Sequence, residues 1–138
     1  DDNDNKTEEE ADTRFASYGG QSRRRISEDI PGAIFKLRMD ATHPLAFGLG
    51  EHYFTLKRGA TAYAPSDDFW NVGTIGEAPM YQGFVGSKAL EEVKNSVVFA
   101  VEDEGRGSIT YLVDNPLFRS FWENGKFLFS NAVFLVGQ

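Results

Sequence analysis

Residues 96–113 read SVVFAVEDEGRGSITYLV, and this stretch decides the fold. Two runs rich in β-branched residues, 96–102 and 107–113, flank an acidic, glycine-containing turn. Such an arrangement predicts a β-hairpin. Both runs are mostly apolar, which is typical of strands in the middle of a covered sheet. We therefore expect the hairpin to form the centre of the domain, with Phe99 in its core.

Shorter strands are predicted on the N-terminal side of the hairpin. Residues 34–39 alternate apolar and basic side chains, the period-two pattern of a half-buried strand. Residues 53–57 predict a second strand, closed by an Arg-Gly pair. Two further strand fragments, 61–63 and 71–74, lie in a stretch rich in Gly, Pro and Asp, which predicts short strands joined by long loops.

Helices are predicted on both sides of the hairpin, so the fold class is α/β. Residues 87–94 have the composition of a short helix. Residues 114–122 begin with an Asp-Asn-Pro sequence suited to a helix start and continue with apolar residues on one helical face. Residues 127–136 are apolar on most faces and predict a buried helix with Phe129 in the core, although a buried strand fits so short a run as well.

The acidity of the chain is concentrated at its beginning. The 138 residues carry a net charge of −7, of which residues 1–12 hold −6. Residues 1–25 are predicted to be a disordered acidic leader or linker, and residues 26–138 one ordered domain. A nearly neutral body is a poor partner for nucleic acid, and no stretch has the roughly 20 apolar residues of a membrane span. We expect neither nucleic acid nor membrane as a partner.

The absence of cysteine and the scarcity of histidine restrict the chemistry. Without cysteine there are no disulfides, thiolate metal sites or cysteine nucleophiles. His43 and His52 are too few for a three-histidine metal site. His43 is either a general base or, more simply, the cap of a turn before Pro44 with its ring against Phe47. No serine has the glycine-flanked setting of a hydrolase nucleophile. A hydrolase is therefore less favoured than an accessory domain or a binding module.

Arg119 is a candidate binding residue with two interpretations. If its predicted helix is buried, the guanidinium needs a carboxylate, and Asp40 and Asp114 at strand ends are the candidates. Alternatively, Arg119 binds the carboxylate of a ligand, because a guanidinium forms two parallel hydrogen bonds to such a group. The structural ion pair is the favoured interpretation.

Aromatic residues in the loop-rich stretch form a second candidate site. Trp70, with Phe69 and Tyr63, could present an exposed platform for a sugar or a peptide. The same exposure would also arise where a partner surface is missing, which we favour. The neighbouring acids at 67–68 and 102–104 are interpreted as solvated loop charges rather than metal ligands or catalytic acids.

Four segments in this order carry a resemblance to a known family: THPLAFG at 42–48, GRG at 105–107, DNPLFRSFW at 114–122 and LFSNAVF at 128–134. Together they resemble the C-terminal region of large bacterial zinc carboxypeptidase-like proteins. That region follows the peptidase domain and is similar to a class I glutamine-amidotransferase-like domain. The resemblance covers residues 26–138.

The resemblance implies a partial flavodoxin-like sandwich whose earlier elements lie upstream of Asp1. The cysteine nucleophile of a glutaminase is absent, and Ala46 and Thr55 stand where a carboxypeptidase zinc motif has glutamate after its histidine. No catalytic residue, metal or cofactor is therefore expected in this chain, and zinc is expected only in the peptidase domain of the parent protein.

The expected function is a non-catalytic accessory domain that packs on or orients the peptidase domain, or that self-associates. By the same resemblance, the parent is expected to be extracellular or periplasmic. The alternative is a carbohydrate- or peptide-binding module whose candidate binding residues are His43, Arg119, Trp70 and Tyr63.

Overall fold

The computed structural model describes residues 17–138. This part of the chain is mixed α/β, as the sequence predicts, with six strands and three helices. In chain order the elements are α1 (Tyr18–Glu28), β1 (Gly32–Met39), β2 (His52–Lys57), β3 (Trp70–Ile75), β4 (Tyr81–Phe84), α2 (Ser87–Val93), β5 (Ser96–Glu104), β6 (Gly107–Leu112) and α3 (Glu123–Phe134). Two short 3₁₀ turns cover Pro44–Ala46 and Phe118–Ser120.

The six strands form one antiparallel sheet in the order β2-β1-β3-β5-β6, and β4 also pairs with β1. The sheet is curled, and its two edge strands approach one another. Asp114, two residues beyond β6, accepts hydrogen bonds from Thr55 and Lys57 on β2 at 3.0 and 3.2 Å. The inner face of the curled sheet encloses the core.

The core follows from the period-two pattern of the strands. Every second residue of β1, from Ala33 to Met39, is buried, and Tyr53 on β2 lies on the same inner face. The rings of Tyr53 and Phe99 meet edge to face with centroids 5.3 Å apart. Gly73 on β3 makes room for the Phe99 ring, because a Cβ there would lie 2.7 Å from one of its ring carbons.

Helix α3 packs against the turn Pro44–Ala46, and Trp122, which precedes the helix, reaches the edge of the sheet at β2. The Asn131 side chain donates hydrogen bonds to the carbonyl oxygens of Leu45 and Phe47, at 3.0 and 2.8 Å. The Trp122 indole donates to the carbonyl oxygen of Phe54 on β2 at 2.8 Å, which satisfies one acceptor of the unpaired strand edge. Leu128 anchors the inner side of the helix and is fully buried.

The predicted hairpin is confirmed, but its two strands differ in position. β5 lies inside the sheet with six consecutive buried residues, 96–101. β6 lies at the sheet edge and alternates exposed with half-buried residues, so the expectation that both strands lie in the middle was wrong. All strand pairs are antiparallel, whereas a flavodoxin-like sheet is parallel, so residues 17–138 do not form the sandwich that the resemblance implies.

The segment 114–122 is not a helix. It contains only the 3₁₀ turn Phe118–Ser120, because Arg119 and Ser120 adopt positive φ angles of 51° and 57°. Helix α3 starts at Glu123 and includes Gly125, where a Cβ would overlap the carbonyl oxygen of Pro116. Glycine therefore permits the close approach of α3 to the preceding turn.

The predicted C-terminal helix exists, but it is buried on one side only. Leu128 and Asn131 are buried, whereas Phe129 is 42% exposed and Phe134 is 70% exposed. The expectation of a buried helix with Phe129 in the core was therefore wrong for the outer side. A single helix packed against the body of the domain has one inner side, and within residues 17–138 no second layer covers its other side.

The expected disordered leader covers residues 1–25, of which 1–16 lie outside the described residues. From Tyr18 the chain is helical in α1, whose N-terminus is capped by the Ser17 hydroxyl accepting from the Gly20 amide at 3.2 Å. No residue of α1 is buried, and Lys88 on α2 lies 3.4 Å from its last residue, Glu28. The predicted domain start at residue 26 thus falls within a helix.

No helix among residues 17–138 has the length and apolar character needed to cross a membrane.

Candidate functional site

A surface depression lies on the outer face of the hairpin, between β5, β6 and the loop that precedes β3. We call it the hairpin groove, and its volume is about 680 Å³. Its lining includes Tyr63, which the sequence analysis singles out. The full lining is Thr61, Tyr63, Asp68, Phe69, Val97, Val98, Ala100, Glu102, Tyr111, Leu112 and Val113.

The floor of the hairpin groove is apolar, and its walls are aromatic. Val98 and Ala100 alternate with the inward-facing Phe99 and therefore point to the outer face, where both are buried. Ala100 is the cross-strand partner of Tyr111, so a small residue lies beside a large one. The Phe69 ring lies 6.3 Å from the Tyr111 ring, centroid to centroid, with a 48° tilt.

The loop that forms one wall is fixed at both ends. The Val97 amide donates to the carbonyl oxygen of Tyr63 at 2.9 Å, which joins the loop to β5. Further along, the Asn71 side chain donates to the carbonyl oxygen of Ser66 at 2.8 Å and accepts from its amide at 3.2 Å. These bonds position the intervening Asp68 and Phe69 against the hairpin.

The rim of the hairpin groove is negatively charged. The Tyr111 hydroxyl donates to a Glu102 carboxylate oxygen at 2.6 Å. This hydrogen bond, together with desolvation and the charges of Glu102 and Glu104, raises the pKa of Tyr111. Within residues 17–138, no lysine or arginine lies within ion-pair distance of Asp68, Glu102 or Glu104. The groove therefore combines aromatic walls with uncompensated carboxylates.

His43 and Trp70 meet at a separate place, with ring centroids 6.3 Å apart. His43 Nδ1 accepts from the Leu45 amide at 3.1 Å and caps the turn Pro44–Ala46, as predicted, although its aromatic neighbour is Trp70 and not the expected Phe47. The Trp70 indole donates to Asp103 at 3.2 Å. Burial lowers the pKa of His43, and the negative charges of Asp40 and Asp103 offset only part of this decrease.

Arg119 forms neither of the ion pairs expected from the sequence. It is exposed, with its guanidinium carbon 5.1 Å from the centroid of the Phe118 ring. Asp40 accepts hydrogen bonds from Thr42, and these bonds lower the pKa of Asp40. Asp114 pairs with Lys57 instead. The expectation rested on a buried helix at 114–122, and the 3₁₀ turn places Arg119 on the surface.

Sequence analysis missed the buried polar cluster of Lys57, Asp114 and Thr55. Lys57 is 1% exposed, and its ammonium lies 3.2 Å from the Asp114 carboxylate. Burial, followed by the charge of Asp114, raises the pKa of the neighbouring Tyr53 to about 12. The alternation of β2 could have predicted that Lys57 is buried, because it places Lys57 on the same inward face as Tyr53. No local pattern paired Lys57 with Asp114, which was considered only as a partner of Arg119.

An exposed apolar surface lies on α3 and the turn beside it. We define the α3 surface as Phe47, Phe127, Phe134 and Leu135, which are 69%, 63%, 70% and 37% exposed. Phe127 and Phe134 are seven residues apart and share one side of the helix. Phe47 and Leu135 line one depression of about 370 Å³. The Asn131 side chain donates a hydrogen bond to the Phe47 carbonyl oxygen, which joins helix α3 to the turn that carries Phe47.

The residues considered as metal ligands are not gathered into a site. Within residues 17–138, no group of three or more His, Asp or Glu side chains is placed to hold a metal ion. Comparison with known proteins identifies no relative: no family model matches the chain, and neither a curated protein nor a solved structure does.

Proposed function

We propose that the chain is a non-catalytic interaction domain that docks onto an apolar partner through the α3 surface. Following the family resemblance, the partner is the upstream peptidase domain of an extracellular or periplasmic zinc carboxypeptidase-like protein. The zinc and the catalytic residues then belong to that domain. The observation that carries the proposal is the exposure of four large apolar side chains, two on α3, one just after it and one on the turn beside it.

The energetics of association support this use of the α3 surface. A contiguous exposed apolar patch is typical of protein interfaces, and aromatic side chains supply much of their binding energy. Helix α3 is held by Leu128 and by both hydrogen bonds of Asn131. Its outer side is therefore presented in a fixed geometry, and docking costs little conformational entropy.

The proposal is tested by light scattering of the chain alone and mixed with the upstream part of its parent polypeptide. We expect a complex of one copy of each, and we expect the double variant Phe127→Ser/Phe134→Ser to weaken it at least tenfold. Tyr18→Ser is the matched control, since Tyr18 is an exposed aromatic residue on α1. Unchanged capture by the double variant contradicts the proposal. Self-association abolished by the same variant replaces the peptidase domain with a second copy as the partner.

The second candidate function is a carbohydrate- or peptide-binding module. The hairpin groove favours it, because Tyr63, Phe69 and Tyr111 line one cavity. Its volume falls within the range of about 300 to 1,000 Å³ that is common for ligand sites. His43, Trp70 and Arg119, which were expected to share this site, are not among its lining residues.

A further inference from the structure

We propose that the hairpin groove binds an extended peptide by taking up one of its cationic side chains, from arginine or lysine. This inference rests on the second candidate function and names its ligand. It combines three properties of the groove: its charge, its aromatic walls and the strand edge beside it.

The charge of the groove selects a cation. Asp68 and Glu102 belong to the lining, and Glu104 acts on Tyr111 from nearby. In the described part of the chain, no lysine or arginine is paired with these carboxylates. Carboxylates on the rim of an apolar cavity attract a cation more strongly than they would in open water. A peptide that carries arginine or lysine is therefore complementary to the groove.

The shape of the groove suits the long stem of these side chains. The half-buried Val113, beside the buried Val98 and Ala100, gives an apolar surface for the methylene groups, while Phe69 and Tyr111 provide ring faces for the charged end. Glu102 keeps the carboxylate oxygen that is not bonded to Tyr111 available for a guanidinium or ammonium group. The same lining thus accommodates both parts of the side chain.

The edge of the sheet favours a peptide over a free cation. β6 has β5 as its only hydrogen-bonded neighbour among the strands of residues 17–138. An extended peptide can pair with such an edge and place alternate side chains on the outer face, where the groove lies. Tyr111, Leu112 and Val113 belong both to the end of the hairpin and to the groove lining.

The test uses the full chain and two end-blocked pentapeptides. One has arginine at its second and fourth positions and threonine elsewhere, and the other has citrulline in place of arginine. Affinities are measured by isothermal titration calorimetry, with NMR shifts to locate the site. We expect the arginine peptide to bind at least tenfold more tightly, with shifts at Phe69 and Tyr111, and to weaken as salt is raised.

Variants separate charge from shape. The double variant Glu102→Gln/Asp68→Asn should reduce binding of the arginine peptide about tenfold and leave binding of the citrulline peptide unchanged. Phe69→Ala should weaken both peptides, because it removes a wall. Glu92→Gln is the matched control, since Glu92 is an exposed carboxylate on α2 outside the groove lining.

The outcomes distinguish this inference from the function on which it rests. Equal binding of the two peptides overturns the cationic ligand but keeps a peptide-binding groove. Binding of an oligosaccharide instead of either peptide overturns the inference and supports the carbohydrate form of the second candidate. The absence of binding by peptides and oligosaccharides alike overturns both the inference and the second candidate.

Discussion

The inner face of the sheet and the α3 surface are built from similar side chains in opposite surroundings. Tyr53 and Phe99 on the inner face are 1% and 0% exposed, whereas Phe134 on the α3 surface is 70% exposed. Residue type therefore does not distinguish the core from a docking surface in this chain. The surroundings assign their roles: the inner face stabilises the fold, and we propose that the α3 surface binds a partner.

The largest effect is expected from truncating a core aromatic residue. Phe99→Ala should lower the free energy of unfolding by about 3 to 5 kcal/mol, because it leaves a cavity beside Tyr53. Phe134→Ala removes the same side chain from the exposed side and should change the free energy by less than about 0.5 kcal/mol. Urea denaturation of both variants measures the difference. Equal losses in the two variants would show that the α3 surface is part of the core.

A somewhat smaller effect is expected within the polar part of the inner face. Asp114→Asn should destabilise the protein by about 3 kcal/mol, because it leaves the buried Lys57 ammonium without a counter-charge. Adding Lys57→Met to this variant should recover stability, since no buried charge then remains. Urea denaturation at neutral pH measures both. A single variant as stable as the wild type would mean that solvent reaches this ion pair.

The smallest effect concerns the turn that adjoins the α3 surface. The folded pKa of His43 lies below its unfolded value of 6.5, so the unfolded chain takes up the proton first as the pH falls. The stability that neutral His43 contributes is therefore fully present above pH 6.5 and is lost as the pH falls through the folded pKa. Protonation at Nδ1 also removes the acceptor for Leu45, and loss of such a cap costs about 1 kcal/mol.

His43→Asn tests this assignment, because asparagine keeps a capping oxygen and does not titrate. At pH 8 the variant should match the wild type in urea denaturation, and between pH 7 and pH 5 its stability should fall less steeply. Parallel pH profiles for the two proteins would rule out a contribution from His43.

The local parts of the fold could be predicted from the sequence, and the closure of the sheet could not. The alternation in residues 34–39 and the turn between β5 and β6 are short-range patterns, and the structure confirms both elements. The exposure of Phe129 was missed because an apolar pattern does not say how many layers surround a helix. That information lies in contacts between residues far apart in the sequence.

The candidate site was predictable only in part for the same reason. Tyr63 was singled out as an exposed aromatic residue, and it lines the hairpin groove. Tyr111 was missed and Glu102 was interpreted as a solvated charge, since the setting of both depends on which face of the hairpin the preceding loop covers. Arg119 was placed in a helix that does not form, because Arg119 and Ser120 adopt positive φ angles. Neither residue is a glycine, so the sequence carried no sign of these angles.

The contacts that close the curled sheet have a consequence for synthesis of the chain. Lys57 pairs with Asp114, which lies 57 residues later in the sequence. The Leu45 carbonyl accepts from Asn131, which lies 86 residues later. Contacts of such long range form slowly, because a large loop must close before they stabilise anything. Residues as far as Asn131 must therefore emerge from the ribosome before both contacts can form, whereas β2 can pair with β1 much earlier. Until then the inner face stays open, and the nascent chain is exposed to aggregation and proteolysis during that interval.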